Sequence, residues 1–564
     1  MPEAKEKTWL LHRTMERRQF LRGTLASALS MPAALSLLEA CATSSPTKPS
    51  AGGVKLPNYL PFRGPKPDLP PNGAVEPAYL RFPSHLVRSV NETPGRGGDL
   101  TLLYLALEPP PAPLAQNAAW QALNKALNVK LEFVGADPLT FATKFATIAA
   151  SGDLPDAMGL PLFTGLPNLP QFLKAACADL TPHLADDAVK DYPNLANLPT
   201  FSWKSYVNSS GIYAVPIPAS QFFNGFFYDK GRFDRLGLQL PKNADDLTRL
   251  LKALTRPQAG QYACGYAAGQ GTIAHLTIFR QIFRAPNNWK LERGRLIKDI
   301  ETEEHKAAVG YMRDLQTAGV FNPDAQTQSL SALSGFFIRG QIQILVLGWP
   351  GYANLWDQYN AVHPGSQIYN MPMFGHDGGK GSFFTINGTQ PTYVAIKKAS
   401  TERVKELLRV LNFMSAPFGT VEHALRTYGV KDVDYSLDRD GNPRPTDRAR
   451  SDLTSTLVPP WVRGLGGPPP VLYDPNSSDF ARVAHQMESE LAPMLVTDPT
   501  QGYYSPTQDA KGTVLTQLIT DRLTAIINGR APLSDHDQLV KDWRAQGGDQ
   551  IRAEYEAAIA KRGG

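Results

Sequence analysis

Side chains able to do chemistry are sparse and scattered in this chain. The three cysteines, Cys41, Cys177 and Cys264, form no C-x-x-C pair, and no two of the ten histidines fall within five residues of each other. A zinc cluster on local spacing therefore has no support. The nucleophile-elbow pattern G-x-S-x-G, the H-E-x-x-H zinc helix and the G-x-x-x-x-G-K-[ST] phosphate loop are absent. Gly375 to Ser382 is glycine-rich and contains Lys380, but no helical pattern follows, so it reads as a solvated hairpin. Asp438-Arg439-Asp440-Gly441-Asn442 opens like a calcium loop, yet Pro443 interrupts it and Ala449 stands where the closing acid would be. An Asp-Gly turn is the better reading. Asp153 and Asp156 read as capping and turn residues. Paired carboxylates for glycoside hydrolysis would lie far apart in sequence, and nothing points to a pair. No catalytic residue, metal site or cofactor is assigned.

The N-terminus carries a different kind of chemistry. Arg17 and Arg18 precede sixteen uncharged residues, Gly23 to Leu38, and Leu38-Glu39-Ala40-Cys41 follows. Paired arginine before an apolar run is an export address. The run is shorter than the ~20 residues of a membrane span. The order basic, apolar, small, cysteine fits a signal peptide that is removed, giving residues 1–40 as signal and Cys41 as the first mature residue. The mature part carries 51 basic and 48 acidic side chains, since residues 1–40 hold six and four of the chain's 57 and 52. A balance this even gives no electrostatic case for nucleic acid. No run after Cys41 reaches the length of a membrane helix.

The elements that must position any site begin at Asp99. Residues 41–98 read as a linker with eleven prolines from 42 onward, extended and semi-rigid. Tyr59, Phe62, Tyr79 and Phe82 are costly in a solvated stalk, so its second half is expected to pack on the body. Leu100 to Leu105 reads as a buried strand; Trp120, Leu123 and Leu127 give a helix stopped at Asn128; Val129 to Val134 gives a second strand. Asp137-Pro138 opens a helix whose expected apolar face is Leu139, Ala142, Ala146 and Ala149, closed by Gly152. Asp156 to Leu160 adds a strand. This alternation predicts an α/β sheet. Leu247, Leu250, Leu251 and Leu254 after Asn243 predict an amphipathic helix.

Several segments carry a family resemblance. Arg17-Arg18-Gln19-Phe20-Leu21-Arg22 resembles the twin-arginine signal of bacterial lipoproteins, and Leu38-Glu39-Ala40-Cys41 resembles the lipobox at which cysteine takes lipid, with Glu39 where a small or apolar residue is usual. Ile148 to Asp156 (IAASGDLPD) is similar to the "LASGDLPD" motif of extracellular solute-binding proteins, the receptors of ATP-binding cassette importers, in particular the carbohydrate-binding lipoproteins of the family 1 type. Ile212 to Pro216 resembles that family's "YGVP" crossing; Phe227 to Lys230 through Leu236-Gly237-Leu238 resembles "YYRKDLLEKLGL"; Phe336 to Gly340 with Gly348-Trp349 resembles "FAEGKAAM…GGW". Tyr428-Gly429-Val430 with Asp434 to Asp438, and Ile527 to Ser534 with Trp543, resemble the oligosaccharide lipoprotein branch.

The resemblance implies a periplasmic-binding-protein-like α/β fold. Two α/β lobes would meet at a hinge crossed more than once, with a ligand cleft between them. Lobe 1 is expected at about 99–217 and 386–450, lobe 2 at about 218–385 and 451–564. Cys177 and Cys264 would fall in different lobes, and a disulfide would pin the hinge, so both are expected as free thiols. A sugar needs flat aromatic faces and hydrogen-bonding groups, because buried hydroxyls left unpaired cost ~1–3 kcal/mol each. Trp349, which matches the family's cleft tryptophan, Tyr352 and Trp356 are candidates; so are Gln221 and Asn224 after the hinge crossing, Trp203 and Tyr206 before it, Gln270 in a glycine-rich turn, and Trp461 after Pro459-Pro460. Phe222 and Phe223 are expected in the core. The expected function is a monomeric, lipid-tethered extracytoplasmic receptor that delivers a carbohydrate to cassette permease subunits, without catalysis. The alternatives are an exported carbohydrate-active enzyme or a sensor partner.

Overall fold

The computed structural model describes residues 54–561 apart from 107–109, 138–139, 162–165, 167, 205–206, 209–210, 268–269, 329–331, 387–388 and 454–463. Arg17, Arg18, Cys41, Tyr206 and Trp461 lie outside the described residues, as does the side chain of Gln270.

The first lobe is built as the sequence alternates. Strand β1 (Asp99–Leu105) is followed by α1 (Ala118–Leu127), β2 (Lys130–Ala136), α2 (Phe141–Ser151) and β3 (Ala157–Pro161). The Asn117 side chain caps α1 by accepting from the Trp120 N–H, and Asn128 ends it in the left-handed conformation that asparagine tolerates. Helix α2 departs from expectation. Asp137 accepts from the Thr140 N–H, the helix starts at Phe141, and the buried face is Phe141 and Phe145 while Ala146 is exposed. Two phenyl rings at i and i+4 remove far more apolar area from water than alanines one residue over, so they set the helix's rotation. Strand β4 (Ala214–Pro218) completes this part of the lobe.

The second lobe holds β5 (Asn224–Asp229), α3 (Ala244–Leu254), β6 (Ile344–Gly348), α4 (Tyr352–Val362) and β7 (Ile368–Asn370). Asn243 caps α3 by accepting from Asp246 N–H, and Leu247, Leu250, Leu251 and Leu254 are all buried, as their spacing predicts. The chain then returns as β8 (Thr389–Ile396) and α5 (Thr401–Met414) in the first lobe, and α6 (Ser478–Leu491) packs on the second. The first sheet has order β2-β1-β3-β8-β4, with β1 parallel to β2 and β3 and β8 antiparallel to both its neighbours. The second is the antiparallel sheet β6-β5-β7.

The chain passes between the two lobes at 218–224, between Phe383 and β8, and between Leu465, in the first core, and Leu472, in the second. The proline-rich segment adds to this hinge. From Val54 onward it lies on the body rather than standing off as a stalk. Asn58 and Leu60 N–H groups donate to Asp186 and Ala196 of the first lobe, Ala78 is buried in the second core, and the Val87 N–H donates to Gly419 of the first lobe. Tyr79 and Phe82 pack with Phe418, which is where the cost of solvated aromatics is relieved. This belt runs from lobe to lobe and back, pairing Ala78 with Leu472 beside the hinge.

Cys177 and Cys264 are buried, free thiols in different cores. Burial pushes Cys177 up to about 12 and Cys264 further, so neither offers a thiolate at neutral pH. In a Cys41→Ser chain, an aqueous thiol reagent is expected to leave both untouched until urea unfolds the protein. Labelling of either in the native state would show its core opening.

Candidate functional site

The hinge end of the second lobe gathers four of the candidate residues. Asn224, first in β5, pairs with Gly348, last in β6, and the Trp349 N–H donates to the Phe223 carbonyl at 2.7 Å. This antiparallel pairing delivers Gln221, Asn224, Trp349 and Tyr352 to the hinge crossing. Gln221 is half-buried, and its carbonyl accepts from the Ile386 N–H of the return crossing.

The aromatic candidates sit deeper than the sequence suggested. Trp349 is 4% exposed, with Phe222, Phe227, Tyr352 and Phe383 around it at ring-centroid distances of 5.3 to 6.1 Å. Tyr352 stacks on Phe227 at 4.9 Å and donates its hydroxyl to the Ile368 carbonyl at 2.6 Å. Trp356 packs edge-on to Tyr352 and Phe480. The helix that follows β6 turns these side chains inward onto α6, so the rings fill the lobe core instead of standing as open platforms. Trp203 lies apart from them in the first lobe's core. Gln270 begins a helix, Gln270–Ile282.

Two carboxyls that sequence reading passed over hold this corner together. The Trp349 indole N–H donates to Glu488 Oε1 at 2.9 Å, and the belt's Glu76 N–H donates to Glu488 Oε2 at 2.8 Å. Glu488 lies on the core face of α6, four residues after Ala484 and eight after Phe480, all buried. An acid at a core position of an amphipathic helix is the signal that marks it. Glu76 had no such signal in its proline-rich surroundings. Burial, and then the neighbouring Glu76, push Glu488 well above the usual carboxylate range; burial pushes Glu76 up to about 7, with Ser220 beside it pulling the other way. With both oxygens engaged and the side chain enclosed, Glu488 is not placed to reach a glycosidic bond.

Among the described residues no group of three or more His, Cys, Asp or Glu could hold a metal ion. Asp438 accepts from the N–H groups of Asp440 and Asn442 and from Arg444 Nε at 2.8 Å, so the loop before Pro443 closes on itself as a turn. The Gly375–Ser382 stretch is likewise a hairpin, with Phe374 paired to Lys380 and the Arg284 guanidinium donating to the Gly378 and Lys380 carbonyls. No described helix is long and apolar enough to cross a membrane.

A cavity of about 500 Å³ opens beside Gln221, between the belt, the hinge and the first lobe. Its walls are mostly proline and aromatic side chains.

Comparison with known proteins agrees with the architecture. Residues 108–417, just over half the chain, match the family of bacterial extracellular solute-binding proteins. The polygalacturonan/rhamnogalacturonan-binding protein YtcQ of Bacillus subtilis is 24% identical over 387 residues, covering 66% of this chain and 75% of its own length. Lipoprotein LipO of B. subtilis is 22% identical over 479 residues, 80% of this chain and 91% of its own. The S. pneumoniae substrate-binding protein FusA, solved with kestose, shares the fold with a TM-score of 0.61 at 17% identity, covering 83% of this chain and 99% of its own.

Proposed function

The chain belongs to the bacterial extracellular solute-binding protein family, and from that premise we propose that it captures an oligosaccharide between its lobes and hands it to the permease of an ATP-binding cassette importer. The observation that carries this reading is the hinge itself. Three crossings join two separately packed α/β cores, and hydrogen-bonding side chains, Gln221 foremost, sit at the first crossing with a cavity beside them. Closure of two such lobes is a two-state motion driven by ligand contacts made on both sides. The sugar class is supported by the relatives that bind polygalacturonan and kestose.

In this reading Gln221 and Asn224 contact ligand hydroxyls, with Gln270 and Trp461 as further contacts. Trp349, Tyr352 and Trp356 shape the second-lobe wall from behind, and Trp203 does so in the first. Lipid on Cys41, after cleavage of a signal bearing Arg17 and Arg18, tethers a monomer outside the membrane. The likeness to a lipoprotein supports the tether. No turnover belongs to this reading.

Thermal unfolding across a panel of neutral and acidic oligosaccharides tests it. At least one sugar is expected to stabilise the protein, by about 2.7 kcal/mol when present at a hundred times its Kd. A response to peptides or metal ions alone would remove the carbohydrate assignment.

A further inference from the structure

The cavity beside the hinge has a composition that the two-lobe reading does not account for. The belt supplies Tyr59, Phe62 and Tyr79, the first lobe supplies Phe201 and Phe418, and the hinge supplies Gln221. The volume, about 500 Å³, is that of small-ligand pockets, which run ~300–1,000 Å³. We propose that this cavity is a glycosyl subsite, built jointly by the belt and the hinge, that holds one neutral sugar unit at the end of a longer carbohydrate. It rests on the carbohydrate reading above and adds to it where one end of the chain is held and what charge that end carries.

The walls suit a sugar ring. Prolines and aromatic rings present flat, rigid faces to C–H groups at small entropic cost, and Tyr79 is already held, its ring 4.6 Å from that of Phe418 and its hydroxyl donating to the Pro65 carbonyl. Hydrogen-bonding groups are few and placed among these faces: the Gln221 amide, the Thr200 and Tyr59 hydroxyls, the Glu76 carboxyl, and the Asn197 amide, whose Nδ2 already donates to the Leu60 carbonyl at 3.2 Å and the Tyr59 hydroxyl at 3.4 Å. That mixture serves a ring with hydroxyls on its rim better than a fully apolar guest, because each buried polar group then finds a partner.

Charge settles the class of sugar. Among the described residues no lysine, arginine or histidine lines the cavity, and the one acid is Glu76. A uronate or sulfated unit would meet a carboxyl with no cation to offset its own desolvation. Glu76, pushed up to about 7 by burial, presents a protonated carboxyl in a large share of molecules near neutrality and can donate to a hydroxyl. A neutral hexose unit meets none of these penalties.

The belt's contribution ties this subsite to the motion. Its residues bond to the first lobe at Asp186, Ala196 and Gly419 and to Leu472 at the edge of the second core. A sugar unit resting here touches the belt, the first lobe and the hinge at once.

The test uses the full chain with Cys41→Ser and two ladders, neutral fructo- and gluco-oligosaccharides of increasing length and galacturonate oligomers of the same lengths. Affinity is read by calorimetry for wild type, Phe62→Ala and Gln221→Ala. Phe62 is only half-buried on the belt, so its loss leaves the cores intact, and Gln221→Ala probes the hinge wall independently. Phe62→Ala is expected to weaken long neutral sugars roughly 3- to 10-fold, the worth of one ring contact, and to leave the shortest ligand unchanged, whereas Gln221→Ala, at the hinge crossing, is expected to weaken sugars of every length. Wild type that binds sugars with no change in Phe62→Ala at any length overturns the subsite while leaving the carbohydrate reading standing. Tighter binding of galacturonate oligomers that Phe62→Ala weakens overturns its neutral character. Wild type that binds no sugar overturns both readings.

Discussion

Glu488→Ala is expected to cost about 2–4 kcal/mol of stability, read as a lower urea midpoint at unchanged slope. The carboxylate is fully buried on α6 and serves two donors from different parts of the chain, the Trp349 indole at 2.9 Å and the Glu76 backbone N–H at 2.8 Å. Truncation strands both donors away from water. A buried donor left unsatisfied costs ~1–3 kcal/mol, and the cavity left by the side chain adds to it. Trp349→Phe removes only one donor and keeps an aromatic ring among Phe222, Phe227 and Phe383, so it should cost less than half as much. Combined with Glu488→Ala, it should be less than additive, because the first change has already removed one of the stranded groups. Full additivity of the two would mean that the indole and the carboxylate are not coupled.

What the sequence made legible was mostly local. The leucine spacing of α3 and its Asn243 cap needed no tertiary information, nor did the stop at Asn128 or the turn at Asp438. The order of elements in the first lobe followed from the alternation of strand and helix patterns. Where the sequence misled, a tertiary surface chose between two local options. Helix α2 had alanines on one face and Phe141 and Phe145 on another, and packing area decided for the rings. The insertion of β8 between β3 and β4 brings Tyr393 opposite Leu160, a pairing that no local pattern encodes. The candidate site was legible as a place more than as a set of side chains. The crossing at Gln221 and the strand end at Gly348 were placed by motif, but whether a ring beyond them faces solvent or core depends on α6, which arrives more than a hundred residues later. The belt was hidden for a related reason. Proline-rich sequence has no periodicity from which a buried face can be read, and only its aromatics betrayed that it packs.

The Glu76–Glu488 pair also predicts how stability responds to pH. Burial and Ser220 act on Glu76; burial, Glu76 and Trp349 act on Glu488; no cation is among the groups that shift either carboxyl. Both are therefore raised in the folded protein, Glu76 from 4.5 to about 7 and Glu488 well above its ordinary value. A raised acid keeps its proton in the native state while the unfolded chain has lost it. Its contribution is thus whole below the unfolded pKa and is lost as pH rises through the folded one. The pair's contribution to stability is expected to fall between about pH 4.5 and 7 and to go on falling above 7 as Glu488 is forced toward ionisation, against the opposite slope below pH 6.5 of His275, His305, His423 and His536, whose pKa values burial lowers. For Glu76 alone the loss is on the order of 3 kcal/mol at its limit. Asp474, up to about 8 through burial and Asp357, and Asp434, up to about 6 through burial with Asp452 nearby, slope the same way. The decisive measurement is therefore a difference. Glu76→Gln keeps the backbone N–H that Glu488 accepts and removes one acid from the pair. Its melting temperature should decline less steeply than wild type between pH 5 and pH 8, so that the two curves converge in acid and separate in base with the variant above. Parallel curves would show that Glu76 holds no proton at the hinge, and that the belt is fixed there by its backbone alone.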